Sequence, residues 1–100
     1  MPSPEKIKDI LNLAIKAHQV VVGREPVLRL IKKNKVYLVI IAQDLSNNSY
    51  HSLIKNIKGP LPEIRRWETK SFYQQLFGKE VGIIGITDCN FKQGLIKHLA

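Results

Sequence analysis

The sequence predicts an α/β fold, a three-layer α/β/α sandwich in which helices cover both faces of a mixed sheet of about four strands. Helical and strand patterns alternate along the chain in the order α-β-α-β-α-β-α-β-α, which is typical of layered α/β proteins. The segment Val36–Ala42 is apolar without alternation, and strands of this kind are usually buried on both faces. One hundred residues fit one core, so we expect residues 1–100 to form a single domain.

The first two helices flank a short strand. The first helix is expected over residues 4–18, where apolar side chains recur at helical spacing after Ser3, a favourable N-cap. The β-branched residues Val20–Val22 then predict a strand. The second helix follows over residues 25–33. Asn34 can end this helix, because asparagine tolerates the left-handed conformation of a helix terminus.

The second half of the chain repeats this alternation. Two glycines in its last strand, Gly82 and Gly85, indicate that a neighbouring element approaches the strand closely. The expected elements are a third helix that Ser46 caps and Gly59 ends, the strand Ile64–Trp67, a fourth helix from Thr69 to Gly78, the strand Val81–Thr87, and a last helix that Asp88 or Asn90 caps and that ends near Leu99.

Composition limits the classes of partner and the cellular compartment that can be expected for this chain. The net charge is +8, which points to a polyanionic partner, nucleic acid before acidic membrane, although such an excess can also serve solubility alone. The longest apolar run, Val36–Ala42, is far shorter than the ~20 residues of a membrane helix. The single cysteine, Cys89, excludes an intramolecular disulfide and a multi-cysteine zinc site. With a polar N-terminus and no secretory signal, the chain is expected in the cytoplasm.

The stretch from Gly23 to Lys35 is the expected binding site. The predicted strand ends at Gly23, and a helix is predicted to begin soon after it. The free N–H groups of a helix N-terminus can bind an anion. Five cations and one carboxylate lie between Arg24 and Lys35. Arg24 and Arg29 are the leading candidates for contact with nucleic acid, since the guanidinium fits phosphates and guanine edges. Alternatively, this run of charges is only a solvent-exposed helix face. The candidates on this stretch are Gly23, Arg24, Glu25, Arg29, Lys32 and Lys33.

Three residues have alternative roles. Glu25 can accept a hydrogen bond from a base or stabilise the positive end of the second helix. Trp67 can stack on an unpaired base or, as we favour, close the edge of the sheet. Asp44 follows a strand, where ligands of α/β sheets bind, but a cap or turn role is favoured. The three histidines have no Cys or carboxylate at metal-ligand spacing, so neither a metal nor a cofactor is expected.

Four segments also carry a family resemblance, namely Ile10–Ala17, Val22–Lys32, Lys35–Ser46 and Phe77–Asp88. In order and spacing they resemble the kink-turn RNA-binding ribosomal-protein superfamily, the seven-Ae and thirty-e types, and within it the small bacterial YlxQ branch. The resemblance covers nearly the whole chain. It departs at Glu25-Pro26, where kink-turn binders usually have Asn-Glu, so that a carboxylate acceptor replaces an amide donor.

The resemblance implies a non-catalytic RNA-binding protein whose glycine loop and second helix grip a kinked RNA. We expect the protein to be a monomer. Its partner would be a structured RNA with a kinked or bulged stem, such as ribosomal RNA, and neither DNA nor a membrane is expected. Two further loops, matching Asp44–Asn47 and Trp67–Lys70, would help to bind an extruded base. These loops add the candidates Asp44, Ser46, Trp67, Glu68, Thr69 and Lys70.

Two other functional classes remain as alternatives. A protein-interaction module of the same fold could use its basic face to contact an acidic partner protein, and the Glu25-Pro26 departure favours this alternative. A small-molecule enzyme is compatible with the alternating fold. However, the sequence contains no glycine-rich phosphate fingerprint, metal set or catalytic triad, so an enzyme is not expected.

Overall fold

The computed structural model describes residues 4–99, and Ser3, the expected N-cap of the first helix, lies outside this range. Helices and strands alternate in the predicted order. None of the helices in the described range is long and apolar enough to cross a bilayer. The elements are α1 Pro4–Lys16, β1 Val20–Val22, α2 Arg24–Lys32, β2 Leu38–Ile41, α3 Asn47–Asn56, β3 Glu63–Arg66, α4 Lys70–Phe77, β4 Ile83–Ile86 and α5 Cys89–Leu99.

The strands form one mixed sheet in the order β1-β4-β2-β3. Strand β4 is antiparallel to both of its neighbours, with Ile84 opposite Val22 of β1 and Ile83 opposite Ile41 of β2. Strand β3 is parallel to β2. Three strands therefore run in one direction and β4 in the other. As a result, the beginning of β4 lies at the edge of the sheet where β1, β2 and β3 end.

The central strand β2 has a core on each of its faces. All four of its residues are buried, because side chains of a strand alternate between the two faces. Leu38 and Ile40 join a core that includes residues of α1, α4 and α5, whereas Val39 and Ile41 join a second core with α2 and α3. This arrangement confirms the predicted α/β/α sandwich with a mixed four-stranded sheet.

The first two helices end in the same way. His18 and Asn34 each follow a helix and adopt left-handed backbone conformations with φ of 57°. After α2, the Lys35 N–H donates to the Leu30 carbonyl at 2.9 Å, which satisfies one of the last helical carbonyls. The expectation for Asn34 is thus confirmed. Helix α1 ends at Lys16, two residues earlier than expected, because its terminating turn occupies the residues that follow.

Side-chain caps begin three other helices. Ser46 and Thr69 each accept a hydrogen bond from the N–H group three residues ahead, at 3.1 and 3.2 Å. Of the two residues expected to cap α5, Asp88 does so, since its Oδ1 accepts from the N–H groups two and three residues on, at 2.8 and 3.0 Å. Gly78, with φ of 78°, ends α4 as predicted.

Both glycines near β4 are closely packed, as predicted. A Cβ at Gly85 would lie 3.0 Å from Val21 Cγ2 and 3.3 Å from Val27 Cγ2, so β1 and α2 can approach β4 only where it lacks a side chain. A Cβ at Gly82 would lie 2.9 Å from Leu45 Cδ1. Gly82 therefore allows the β2–α3 loop to pack against the beginning of β4.

Candidate nucleic-acid interface

A pocket of about 300 Å³ opens at the edge of the sheet where β1, β2 and β3 end and β4 begins. Gly23 and Arg24 line it from the β1–α2 corner, Leu45 from the β2–α3 loop and Lys70 from the start of α4. The segment between α4 and β4, residues 79–82, completes the lining. The structure thus brings together the three loops that the sequence predicts, and it adds a fourth. We call this the N-terminal pocket, because it lies at the N-terminus of α2.

Gly23 shapes the corner of this pocket. Its φ of 95° and ψ of 156° lie in a region that residues with a side chain rarely adopt. Its N–H donates to the Ile83 carbonyl at 2.9 Å, which holds the corner against β4. The next two N–H groups, of Arg24 and Glu25, have no acceptor among residues 4–99, and Pro26 has no N–H to offer. The first turn of α2 therefore presents two free donors and the positive end of a helix dipole, which together suit an anion.

The side chains around the pocket reinforce this preference. Arg24, Lys70 and Lys79 line it, against the single carboxylate of Glu80. Helix α4 also begins here, but its first N–H, from Lys70, already donates to Asp44 Oδ1 at 2.9 Å. An anion is therefore expected at α2, where the donors are free, and not at α4.

Hydrogen bonds between the loops hold the pocket in shape. The Gln43 N–H donates to the Glu68 carbonyl at 2.7 Å, which ties the β2–α3 loop to the β3–α4 loop. The Ala42 N–H donates to the Gly82 carbonyl at 3.0 Å, which ties the end of β2 to the fourth segment. Together with the bond from the Gly23 N–H to the Ile83 carbonyl, these bonds join all the loops that line the pocket, so the pocket is formed before a ligand arrives.

The side chains of several predicted site residues form hydrogen bonds within the protein chain. The Asp44 carboxylate caps the start of α4, and Ser46 and Thr69 cap their own helices. The cap or turn role favoured for Asp44 is confirmed, although the helix it caps is α4 and not the one that follows it in sequence. For all three residues, contact with RNA remains a prediction.

The expectation that Trp67 could stack on a base is wrong for its indole ring. The side chain is only 8% exposed, and it packs edge-on against Phe72, with ring centroids 5.1 Å apart, and against Tyr73 at 6.3 Å. The ring is therefore part of the core and too little of it is exposed to stack on a base. The favoured alternative, an aromatic that closes the sheet, agrees with this packing.

Tyr73 fixes the same loop from beneath. It is fully buried, and its hydroxyl donates to the Trp67 carbonyl at 2.5 Å. Burial raises the pKa of Tyr73 well above its usual range, and the nearby Glu68 carboxylate adds to the increase. Glu68 itself is half-buried and adopts a left-handed conformation with φ of 59°. The neutral phenol therefore holds the β3–α4 loop in position beside the pocket.

The remaining candidates on α2 are exposed but do not line the pocket. Glu25 lies in the first turn of the helix, and Arg29 follows one turn later on the same face. No ion pair joins these two within the described part of the chain. Lys32 and Lys33 lie at the other end of α2, about 12 Å away along the axis at ~1.5 Å per residue.

The segment between α4 and β4 was not among the site residues that the sequence predicts. Lys79, Glu80, Val81 and Gly82 line the pocket, yet the sequence indicated only the end of a helix and the start of a strand there. The available signal was a lysine directly after the helix-ending Gly78, close to a second glycine. Assigning it to the site requires knowing that β4 runs antiparallel to the other strands.

Comparison with known proteins agrees with this architecture. Residues 5–58 match the sequence model of the Ribosomal protein L7Ae/L30e/S12e/Gadd45 family. A Bacillus halodurans C protein of unknown function has a similar structure, with a TM-score of 0.84, 24% identity, and coverage of 94% of this chain and 96% of that chain. The Giardia lamblia 15.5kD RNA binding protein is also similar, with a TM-score of 0.64, 13% identity, and coverage of 96% and 83%. No curated protein matches the chain in sequence.

Proposed function

The chain belongs to the ribosomal protein L7Ae/L30e/S12e/Gadd45 family, and from this premise we propose that it is a non-catalytic RNA-binding protein of the ribosomal kink-turn-binding type. In this proposal, residues 1–100 act as one RNA-binding domain on a kinked or bulged RNA stem, ribosomal RNA included, in association with cytoplasmic ribosomes. The fold shared with the Giardia lamblia RNA binding protein supports RNA as the ligand. The motif spacing described above supports placement in the YlxQ branch.

The N-terminal pocket carries the proposal. Its free donors, the N–H groups of Arg24 and Glu25, lie beside a glycine that leaves the backbone uncovered. Lys70 and Lys79 line the same pocket. A phosphate bound here receives backbone hydrogen bonds and several positive charges at once. A sharply bent strand suits such a pocket, because bending brings neighbouring phosphates close together.

Base recognition is assigned to the exposed first turns of α2. The Arg24 guanidinium can form two hydrogen bonds to a guanine edge or to a phosphate. Glu25 offers only acceptors, so it favours base edges that present N–H groups. Arg29 lies one turn beyond Glu25 and extends the same face along the strand. The choice of RNA therefore depends on donor-rich bases near the kink.

A binding assay with a kink-turn RNA and a plain duplex of equal length tests the proposal over a salt series. We expect the kink-turn RNA to bind at least about tenfold more tightly, with an affinity that falls steeply as salt rises. Arg24→Glu should remove the preference. The matched control is Lys97→Glu, an equal charge change at an exposed position of α5 in the opposite helical layer, and it should retain the preference. Equal, weak binding of both RNAs by the unaltered protein contradicts the proposal.

The exposed Glu25 carboxylate favours one alternative, a protein-interaction module of the same fold whose basic face contacts an acidic partner protein. The two functions differ in what the protein carries when it is isolated from cells. Nucleic acid that co-purifies with the protein, is detected by its ultraviolet absorbance and disappears after ribonuclease treatment supports RNA binding. An acidic protein that stays bound through ribonuclease treatment and is lost in Arg24→Glu supports the alternative.

A further inference from the structure

A second pocket, of about 320 Å³, opens at the opposite edge of the sheet. It lies where α1 and α2 end and where β2 begins, and we call it the C-terminal pocket. Tyr37, which is 41% exposed, forms one wall. His18, Gln19 and Lys35 are also part of the lining, and no carboxylate belongs to it. This pocket is as large as the N-terminal pocket, and the proposed function does not use it.

The walls of the C-terminal pocket combine an aromatic face with hydrogen-bonding groups. The Thr87 hydroxyl donates to Gln19 Oε1 at 2.9 Å, and the Thr87 N–H donates to the Gln19 carbonyl at 2.9 Å. These bonds fix Gln19 and Thr87 as a polar wall. Exposed aromatic side chains next to cations are the usual platform for unpaired bases in single-stranded RNA.

Helix polarity separates the base from its phosphates at this edge. The carboxyl ends of α1 and α2 carry partial negative charge, which disfavours a phosphate inside the pocket. Lys35 lines the pocket, and Lys32 and Lys33 are exposed at the end of α2. A nucleotide is therefore best accommodated with its base on Tyr37 and its phosphate on these lysines.

We propose that the C-terminal pocket binds an unpaired base of a single-stranded RNA segment that continues from the stem held at the N-terminal pocket, an inference that rests on the proposed function. The two pockets lie at the two ends of the nine-residue helix α2, about 14 Å long at ~1.5 Å per residue. The exposed Arg29 lies on α2 between the two pockets, and Lys32 and Lys33 follow at its C-terminal end, so these cations can accompany the RNA backbone. The RNA ligand is thus a kinked stem with a flanking unpaired tail.

The test compares kink-turn RNA without a tail with the same RNA carrying about six uridines on its 5′ or its 3′ end, a length within the range of single-strand sites. One of the two tails should raise the affinity of the unaltered protein about tenfold, the effect of stacking a base. Tyr37→Ala should remove this gain and leave the affinity for the untailed RNA within about twofold. Tyr37→Phe keeps the ring and should keep the gain.

Leu61→Ala is the matched control, because Leu61 is another exposed large apolar residue, at 58%, and does not line the pocket. It should leave the gain intact. Absence of a gain with both tails overturns the inference, as does a full gain in Tyr37→Ala. A poly-glutamate peptide that binds in a Tyr37-dependent manner, with neither tail having an effect, also overturns it and indicates an acidic protein at this pocket.

The untailed RNAs keep this inference separate from the proposed function. If untailed kink-turn RNA binds no better than plain duplex, the proposed function fails, whatever the tails do. A Tyr37-dependent tail gain on plain duplex would still support the C-terminal pocket as a single-strand site. If kink-turn preference is present and no tail has an effect, only the inference fails.

Discussion

The two ends of helix α2 bear pockets of nearly equal size, about 300 and about 320 Å³, but they differ in chemistry. At the N-terminal end, Gly23 provides no side-chain cap, and the N–H groups of Arg24 and Glu25 find no acceptor within residues 4–99. At the C-terminal end, Asn34 turns the chain and the Lys35 N–H satisfies a helical carbonyl. The size of a pocket alone therefore does not define what it binds. The direction of the helix assigns phosphate to one end and a neutral base to the other.

The largest expected difference between the two ends comes from charge reversal. Arg24→Glu should weaken binding of untailed kink-turn RNA about 100-fold near 0.1 M salt, because a carboxylate would replace a cation beside the free donors. Lys35→Glu makes the same charge change at the other end and should cost at most about threefold. Filter binding of both variants gives the two values. Equal losses would show that only overall charge matters and would remove the distinction between the ends.

Backbone conformation gives the next largest contrast. Gly23 and Asn34 bound α2 and both have positive φ, 95° and 57°. Replacing either with alanine should destabilise the protein by about 1–2 kcal/mol. Gly23→Ala adds a Cβ to a backbone conformation that suits glycine, whereas Asn34→Ala removes the short polar side chain that lets asparagine adopt the left-handed conformation. Only Gly23→Ala should also weaken RNA binding, by about tenfold, since it moves the free N–H groups. Urea unfolding measures the first effect and RNA titration the second. Comparable RNA binding by both variants contradicts this assignment.

The contrast between these two corners also shows what sequence patterns can predict. The Gly23 corner was found because strand, glycine and helix are adjacent in the chain. The three layers were found because Val36–Ala42 is continuously apolar and helices alternate with strands. Both features depend on local order and hydrophobic periodicity, which a single sequence contains.

The features that sequence analysis missed depend on contacts between distant segments. Residues 79–82 join the pocket only because β4 runs antiparallel to β2, and no local pattern specifies strand direction. For Trp67, the charged neighbours in sequence left base stacking as an alternative to the favoured role at the edge of the sheet. Its burial is decided by Phe72 and Tyr73 of α4, which cover the ring.

Tyr73 supports the N-terminal pocket only, through its bond to the Trp67 carbonyl. Tyr73→Phe should lower the free energy of unfolding by about 1–2 kcal/mol, because a buried carbonyl loses its donor. The pKa of Tyr73 is raised in the folded protein, so its contribution is complete below the unfolded tyrosine pKa of about 10 and is lost as pH rises above that value.

Unfolding measured from neutral to alkaline pH checks this prediction. Above pH ~10 the unaltered protein should lose stability more steeply with pH than Tyr73→Phe, which has no phenol to ionise at this position. Identical slopes for the two proteins would mean that the hydroxyl is not held neutral by burial. Tail-dependent RNA binding at the C-terminal pocket should be unchanged in the variant.

The smallest expected contrast is between two single lysines. Lys79 lines the N-terminal pocket, whereas Lys33 is exposed at the other end of α2. Lys79→Ala should weaken untailed kink-turn RNA about threefold to fivefold and reduce the slope of log affinity against log salt by about one. Lys33→Ala should cost less than about twofold. A larger effect for Lys33 than for Lys79 would indicate that the RNA stem does not contact residues 79–82.

The central claim is that a kinked RNA stem binds at the N-terminus of α2. The most direct test is an NMR titration of the ¹⁵N-labelled protein with untailed kink-turn RNA, in which amide shifts are followed for each residue. We expect the largest changes at Gly23, Arg24, Glu25 and Gly82, with little change at Tyr37 or along α1 and α5. Changes concentrated on α1 and α5, with the Gly23 corner unaffected, would contradict it.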